Sequence, residues 1–376
     1  MEATRHTGAE RLPALDGLRG IAALLVVVLH FQHFDPWFEL PRLGGSKLLS
    51  QSYLWVDLFF VLSGFVLAHV YADGFRRGPP GWDRVRRFWW ARFARVYPLH
   101  LAVLLLLVGL VAVGFVRPVG HDGRCYGPGN LAASLTLVHA WGTTGGLCWN
   151  VPSWSISAEA AAYALFPWLV PLVAGARRRW RPLVPLACLA SLAALSLTAG
   201  GGALAMHHDL GVLRCLPSFV LGVWIVLEQR AGAGWHRAVR SDAGCVWAGA
   251  AVVLPLHFGA PDVLIVAVMA LAVAGLSGNR GLPGRVFGSR PFAWLGAISY
   301  AIYMLHWPLL LVAVSLLEAW FPAREAPVGE AVQAALYALF FCVLLVVSTA
   351  AHHVLELPAR RWLRRGRGAS PALQRA

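Results

Sequence analysis

The chain has 376 residues, of which 58% are hydrophobic and 13% are charged, and its mean hydropathy is +0.61. Soluble domains carry about 25% charged residues, so this composition excludes an ordinary soluble protein and indicates one that crosses a membrane many times. The formal net charge is +14. Because the arginines cluster between apolar runs, membrane topology explains this charge better than nucleic-acid binding, which we do not expect.

Apolar runs of sufficient length predict an all-α integral membrane protein with about ten transmembrane helices. The predicted spans are residues 16–34, 52–72, 97–116, 154–174, 183–199, 211–228, 243–258, 261–277, 292–317 and 330–356. The seventh and eighth runs are short enough to be tilted, re-entrant or merged, so the sequence leaves their arrangement open.

The arginines indicate which ends of the spans face the cytoplasm. With the N-terminus inside, 26 of the 32 Lys and Arg residues fall in predicted cytoplasmic segments. This follows the positive-inside rule and predicts cytoplasmic termini in a multi-pass protein of the cell (plasma or inner) membrane. We divide the chain into a cytoplasmic lead (1–10), a transmembrane domain (11–360) and a basic cytoplasmic tail (361–376), and we find no cleavable signal at the N-terminus.

The first span places two titratable side chains in an otherwise apolar helix. Arg19 and His30 are eleven residues apart, which puts them on one helix face with about 16 Å of rise between them. Because an intramembrane charge normally faces a protein interior or a wet cavity, the pair is a candidate active site. The alternative is structural, with Arg19 as an interfacial anchor behind the N-cap Asp16 and His30 as a polar residue at the opposite interface.

The second span carries Asp57 near its predicted outer end and the Ser63-Gly64 pair at membrane depth. A carboxylate is costly there, so we expect Asp57 to meet a partner such as a histidine or to face a wet cavity. A Ser-Gly pair is typical of close helix packing, which we favour for Ser63 over a substrate contact.

A basic and aromatic segment, residues 84–98, precedes the third span. As a helix it places Arg84, Arg87 and Arg95 near one another, with Arg92 beside Arg95. Guanidinium groups bind phosphates in a bidentate manner, so the segment is a candidate phosphate site. The alternative, favoured by the segment taken alone, is an interfacial helix that two tryptophans anchor on anionic lipid.

The fourth span opens with a polar stripe on an apolar helix, because Ser155, Glu159 and Tyr163 recur every four residues. If Glu159 approaches His30, its carboxylate holds the imidazole in one tautomer and stabilises its protonated form. A hydrogen bond between helices is the alternative role for Glu159.

The ninth span places Tyr300, Tyr303 and His306 at successive steps of three residues, ahead of Pro308. The three side chains line roughly one face, and a proline kink commonly opens such a face toward a cavity. We expect them to line the cavity rather than to perform chemistry.

The cysteines divide into one loop pair and four span residues. Cys125 and Cys148 lie in the longest predicted external loop, where an oxidising exterior permits a disulfide, although two free thiols are the alternative. The other four lie within or beside spans and act as small apolar side chains. No Cys/His group has zinc-site spacing, so we expect no metal.

Five of these motifs together resemble the membrane acyltransferase-3 family of O-acyltransferases, and they occur in the family's order across nearly the whole chain. They are Leu15-Asp16-Gly17-Leu18-Arg19-Gly20 with His30, Val56-Asp57-Leu58-Phe59-Phe60-Val61-Leu62-Ser63-Gly64-Phe65, Arg92-Phe93-Ala94-Arg95-Val96-Tyr97-Pro98, Trp154-Ser155-Ile156-Ser157-Ala158-Glu159 and Ser299-Tyr300-Ala301-Ile302-Tyr303-Met304-Leu305-His306-Trp307-Pro308. The resemblance implies a ten-helix domain that moves an acyl group, commonly acetyl, from cytoplasmic acyl-CoA to a hydroxyl, often on a sugar.

The resemblance also implies roles for individual residues. His30 matches the catalytic base, Arg19 its paired residue and Glu159 the acidic position, while Arg92 and Arg95 match a donor-side motif. The sequence departs from the family pattern at two positions. Ala91 replaces a frequent arginine, which puts the details of the CoA contacts in doubt, and Ala160 replaces a second acid, which leaves Glu159 as the carboxylate of that motif.

The sequence therefore predicts an enzyme in which acyl-CoA is a co-substrate and no cofactor is tightly bound. The donor phosphates lie near Arg87, Arg92 and Arg95, and His30, oriented by Glu159 or Asp57, removes the proton of an acceptor hydroxyl. Direct transfer and a covalent acyl-histidine both remain open.

The expected acceptor is a sugar, glycolipid, polysaccharide or macrolide, because no appended soluble domain is evident to present a polymer. A secondary transporter that uses Arg19, His30 and Glu159 is the alternative function.

Overall fold

The computed structural model describes residues 11–31, 37–38, 45–76, 81–116, 123–198, 203–321 and 328–365. Within these ranges the protein is helical and contains no β-strand. The predicted lead and the end of the predicted tail lie outside the described residues. The all-α fold class predicted from the apolar runs is confirmed.

Ten apolar helices in the described part of the chain coincide with the ten predicted spans. They are α1 (Pro13–His30), α2 (Trp55–Phe75), α3 (Trp82–Ala112), α4 (Trp154–Gly175), α5 (Leu183–Thr198), α6 (Gly211–Arg230), α7 (Asp242–Phe258), α8 (Asp262–Leu276), α9 (Arg290–Trp320) and α10 (Glu330–Ala351). Among the described residues, seven helical segments are long and apolar enough to cross a membrane, whereas α5, α7 and α8 are shorter. The protein is thus polytopic, and the sidedness of its ends stays a prediction from the arginines.

The seventh and eighth predicted spans are two separate helices rather than one merged element. Gly259 ends α7 in the left-handed conformation, with φ of 72°, and Pro261 precedes α8. Glycine adopts this conformation without steric cost, and proline is well placed just before a helix starts.

The third and tenth predicted spans extend further than the apolar runs indicated. α3 begins at Trp82, so the basic segment is the first part of one 31-residue helix, and Pro98 lies inside it. α10 continues through a π-helical turn, His352–Glu356, into a final helix, Leu357–Arg365, which we call the C-terminal helix. Hydropathy missed the start of α3 because charged side chains lower the average without breaking the backbone hydrogen bonds.

Glycines allow two helix pairs to approach closely. A Cβ atom at Gly17 would overlap the backbone next to α9, and one at Gly296 on α9 would overlap Asp16 on α1. In the same way, Gly64 on α2 faces the Phe219 carbonyl of α6. These contacts hold α1 against α9 and α2 against α6, and they thereby align the polar side chains of those helices around one interior space.

Candidate active site

A cavity of about 480 Å³ lies among helices α1, α2, α3, α4 and α9 and the C-terminal segment, which comprises the π-helical turn and the C-terminal helix. Many of the side chains singled out from the sequence line it: Arg19, Ser63, Arg92, Arg95, Ser155, Glu159, Tyr300 and Tyr303. Four others are outside its lining: His30, Asp57, Arg87 and His306. Eight of the twelve site residues predicted from the sequence therefore line the cavity, although the predicted base is not one of them.

The cavity has a cationic end and an aromatic end. Arg92, Arg95 and Arg360 line the first, which we call the arginine end, and Ser155 and Tyr303 line the second, which we call the tyrosine end. The lining residues of α2 extend from Phe59 to Val70, and the eleven helical steps between them correspond to about 16 Å of rise. Most side chains of the wall between the ends are apolar, with Ser63 and Glu159 as polar groups midway, so the cavity suits a long ligand with one anionic end.

Arg19 is held against α9 by several hydrogen bonds. Its Nε donates to the Ser299 hydroxyl at 3.0 Å, and its Nη2 donates to the Gly296 carbonyl at 3.0 Å and to Asp16 Oδ1 at 2.9 Å. Asp16 therefore pairs with Arg19 and does not cap α1, which has no side-chain cap at its N-terminus. The guanidinium is fixed in orientation while part of it lines the cavity.

The polar stripe of α4 faces the cavity, as its spacing predicts. The Ser63 hydroxyl donates to Glu159, and it lies 3.2 Å from the Tyr163 hydroxyl. Ser63 and Gly64 thus divide two roles, since Ser63 faces the cavity whereas Gly64 makes the helix contact. Glu159 thus makes the hydrogen bond between helices that the sequence left open as the alternative to an approach to His30.

The three candidate phosphate-binding arginines have different environments. Arg92 is 6% exposed, and its Nη2 donates to the Tyr71 hydroxyl at 3.0 Å. Arg95 lies 3.9 Å from Glu356 of the π-helical turn. Arg87 is exposed and is not among the cavity-lining residues. The helical turn of α3 therefore directs Arg92 and Arg95 inward and Arg87 outward.

His30 lies just beyond the tyrosine end, behind a layer of rings. The Tyr303 ring is 5.9 Å from that of His306, which is 4.9 Å from the ring of His30. His30 also contacts the Trp307 ring at 5.7 Å. Both Arg19 and His30 therefore face α9, in agreement with their spacing on α1.

The tautomer of His30 follows from its backbone contact. Its Nδ1 lies 2.7 Å from the Val26 carbonyl oxygen, which can only accept a hydrogen bond. In the neutral ring the proton is therefore on Nδ1, and Nε2 carries the lone pair. His306 makes the same kind of contact to Ile302, at 3.2 Å. The Val26 carbonyl therefore fixes the tautomer of His30, a role for which the sequence predicted the carboxylate of Glu159 or Asp57.

The tyrosine end is closed by hydroxyl groups. Tyr303 donates to the Pro152 carbonyl at 3.0 Å and lies 2.7 Å from the Ser155 hydroxyl, while Tyr300 donates to the Val96 carbonyl at 2.7 Å. Tyr300 and Tyr303 line the cavity, whereas the buried His306 lies behind them.

Asp57 has a partner that the sequence did not identify. Its Oδ2 lies 2.6 Å from Arg214 Nη2 on α6, both side chains are fully buried, and Ser218 donates to its other oxygen. The sequence predicted a partner such as a histidine or a wet cavity; Asp57 does have a partner, but it is an arginine, and the two side chains form a buried ion pair. The available signal was Arg214 itself, a lone charge within an apolar span.

A histidine outside the helices borders the region around His30. The His207 ring lies edge-on to Trp154 at a distance of 4.9 Å. Burial, followed by the nearby positive charge of Arg214, lowers the pKa of His207 to about 3. His207 is therefore neutral at pH 7.

The loop that carries the cysteine pair is closed in the structure. Cys125 and Cys148 form a disulfide with a Cα–Cα distance of 5.0 Å. In the described part of the chain, no three His, Cys, Asp or Glu side chains are grouped so as to hold a metal ion.

The C-terminal segment supplies cavity residues that the sequence analysis assigned to no site. His352, Leu357 and Arg360 line the cavity, and Arg360 belongs to the arginine end. The positive-inside rule already accounts for several arginines after a last span, so the cluster at the C-terminus did not indicate a functional site. Only the folded structure shows that Arg360 lies at the cavity.

The chain is similar to several acyltransferases over most of its length. The family described as "Acyltransferase domain" matches residues 12–350. Acyltransferase MdmB of Streptomyces mycarofaciens is 32% identical, over 96% of this chain and 95% of the relative. The putative membrane-bound transacylase BcsY of Komagataeibacter xylinus is 30% identical, over 81% and 74% respectively. Peptidoglycan O-acetyltransferase OatA of Listeria monocytogenes is 23% identical over 85% of this chain, which spans 52% of that relative.

The protein is a bundle of apolar helices around a charged cavity, and its relatives are acyltransferases. Together these findings place it in the class of membrane-bound acyltransferases. The chain belongs to the acyltransferase-3 family, and it is an O-acyltransferase. No solved structure matches the chain.

Proposed function

We propose that the enzyme transfers an acyl group, expected to be acetyl, from acyl-CoA to a hydroxyl of a carbohydrate or a hydroxylated natural product. The observation that supports this proposal is the cavity, which joins a cluster of arginines to the ring layer next to His30. The phosphates of CoA bind at the arginine end, and the arm that carries the thioester runs along the apolar wall.

In the proposed reaction, His30 is the general base. Its Nε2 takes the proton of the acceptor hydroxyl while the oxygen attacks the thioester carbonyl. The new ester bond forms, the carbon–sulfur bond breaks, and the CoA thiolate leaves and recovers a proton. In this proposal the Tyr303 and His306 side chains rotate to admit the thioester, because they stand between the cavity and His30.

The substitution His30→Gln tests the proposed base. We expect the turnover number of purified enzyme with labelled acetyl-CoA to fall about 10²- to 10⁴-fold, while acetyl-CoA binding is retained. His353→Gln is the matched control, because His353 also bonds its Nδ1 to the carbonyl four residues earlier, yet it is exposed. A His30→Gln enzyme that transfers label as fast as wild type contradicts the assignment.

The acceptor class is decided by competition between acceptors. The relatives include a peptidoglycan O-acetyltransferase and an acyltransferase from Streptomyces, so both a surface glycan and a hydroxylated natural product are reasonable acceptors. We therefore propose assays with a muropeptide and with a glycosylated macrolide under the same conditions. The class whose addition speeds release of free CoA, with label recovered in the product, is the acceptor class.

A further inference from the structure

The C-terminal segment brings an additional arginine to the cavity. α10 passes through the π-helical turn into the C-terminal helix, and Arg360 of that helix lines the arginine end. A π-helical turn is rare, and where it interrupts an α-helix it is found frequently at functional sites. The position of Arg360 suggests a function for this turn, which is to direct the C-terminal helix so that Arg360 reaches the cavity.

The C-terminal helix is docked on α3 by hydrogen bonds at its far end. Trp90 Nε1 donates to the Leu363 carbonyl at 2.7 Å, and Arg364 Nη2 donates to the Ala91 carbonyl at 3.4 Å. Both acceptors are backbone atoms, so they fix the position of the helix as a whole. Arg360 is thereby held on the same wall as Arg92 and Arg95.

The positive charges at the arginine end exceed the negative charges that pair with them. Arg360 is repelled by Arg92 and Arg95 and attracted by Glu356. Glu356 also binds His352 at 2.9 Å through its other oxygen, while Arg92 donates to the Tyr71 hydroxyl rather than to a carboxylate. Partly buried like charges are costly unless an anion offsets them, so the arrangement favours an anionic ligand.

Among the residues that the structure describes, two guanidinium nitrogens at this end are buried without a hydrogen-bond partner. They are Arg92 Nε and Arg360 Nη2. A buried donor without a partner costs about 1–3 kcal/mol, and a bound anion that accepts its hydrogen bond would remove that cost. Both arginines line the cavity, and the planar fork of arginine matches the oxygens of a phosphate group.

We propose that Arg360 and Arg92 together form a phosphate-binding site of the enzyme. The ligand is a phosphate of the nucleotide part of the acyl donor, and this identification rests on the proposed function. The C-terminal segment is therefore part of the donor site, and the π-helical turn sets the direction in which Arg360 points.

The substitution Arg360→Gln tests the site, and Arg361→Gln is its control because Arg361 is the exposed neighbour on the same helix. Binding is measured calorimetrically on the full chain in nanodiscs of phosphatidylcholine, with CoA, dephospho-CoA, pantetheine and inorganic pyrophosphate as probes. We expect Arg360→Gln to weaken CoA binding about 10- to 100-fold and Arg361→Gln to change it less than about 2-fold. Pantetheine, which has no nucleotide phosphate, should bind equally to both variants.

A folding defect is separated from a lost contact by Arg360→Lys. Lysine keeps the charge and lacks the planar fork, so we expect an affinity between those of the wild type and Arg360→Gln. Equal CoA affinities of Arg360→Gln and Arg361→Gln overturn the inference, as does equal weakening of pantetheine binding.

Failure of the phosphate site is distinguishable from failure of the proposed donor. If pyrophosphate binds in an Arg360-dependent way whereas CoA does not bind, the phosphate site stands and the acyl-CoA donor is rejected. If phosphatidylglycerol in the nanodiscs abolishes pyrophosphate binding to the wild type, a lipid headgroup occupies the site, and the assignment to the donor is overturned.

Discussion

At the scale of single residues, the fold distinguishes charges that pair within the protein from charges that face the cavity. Asp57 and Arg214 form a buried ion pair between α2 and α6, and the Arg214 guanidinium lies 5.2 Å from the Trp154 ring. Both oxygens of Asp57 accept hydrogen bonds from Arg214. Because neither residue lines the cavity, we assign the pair to stability.

Breaking this pair should destabilise the protein strongly. We expect Arg214→Leu to lower the free energy of unfolding by about 3–5 kcal/mol, because it leaves a buried carboxylate without its counter-charge. The measurement is denaturant-induced unfolding of the purified protein in detergent.

A second ion pair between the same two helices provides the control. Arg230 lies 2.8 Å from Asp73, whose side chain is 73% exposed. We expect Arg230→Leu to cost at most about 1 kcal/mol, because water screens an exposed pair. Equal effects of the two substitutions would show that burial does not set the strength of these pairs.

The same residues show what sequence alone predicts about the site. Arg19, Glu159, Arg92 and Arg95 were found because each is a charge with a regular spacing in or beside an apolar helix. The pairing of Asp57 was not found, because its partner is 157 positions away along the chain. Helix periodicity gives the face of a side chain, whereas only the packing of helices gives its partner.

At the scale of the helices, the sequence predicts where each helix lies along the chain but not which helices contact one another. Apolar runs identify a helix because each must satisfy its backbone groups internally in lipid. Which helices touch depends on small residues that many helices contain. Gly64 and Gly222 make the contact of α2 with α6, whereas Gly109 in α3 has no neighbouring atom within 4 Å of an added Cβ.

The substitution Gly222→Ala should therefore separate α2 from α6. Its Cβ would overlap the Val61 carbonyl of α2, and we expect a cost of about 1–3 kcal/mol in unfolding free energy. Gly109→Ala is the control, and it should be neutral or stabilising by up to about 1 kcal/mol, since alanine favours a helix over glycine. If the two variants have equal stability, close glycine packing does not hold these helices together.

At the scale of the whole molecule, the two ends of the long helices carry different chemical groups. The arginine end of the cavity and the C-terminal helix lie at one end of the long helices, and the disulfide-closed loop connects α3 to α4 at the other. The positive-inside rule predicts that the arginines face the cytoplasm, where acyl-CoA is made available to the proposed site. Because disulfides persist in oxidising compartments, we predict that the Cys125–Cys148 loop faces the opposite, extracytoplasmic side.

This sidedness is testable with thiol-specific reagents that do not cross membranes. In a variant without the four free cysteines, we expect the Cys125–Cys148 disulfide to be reduced and then labelled by a charged maleimide in right-side-out vesicles. A cysteine introduced by Arg361→Cys, in a chain that also lacks the disulfide pair, should react only in inside-out vesicles. Labelling of both positions from one side contradicts the predicted topology, and it would place the arginine end of the cavity away from the proposed donor.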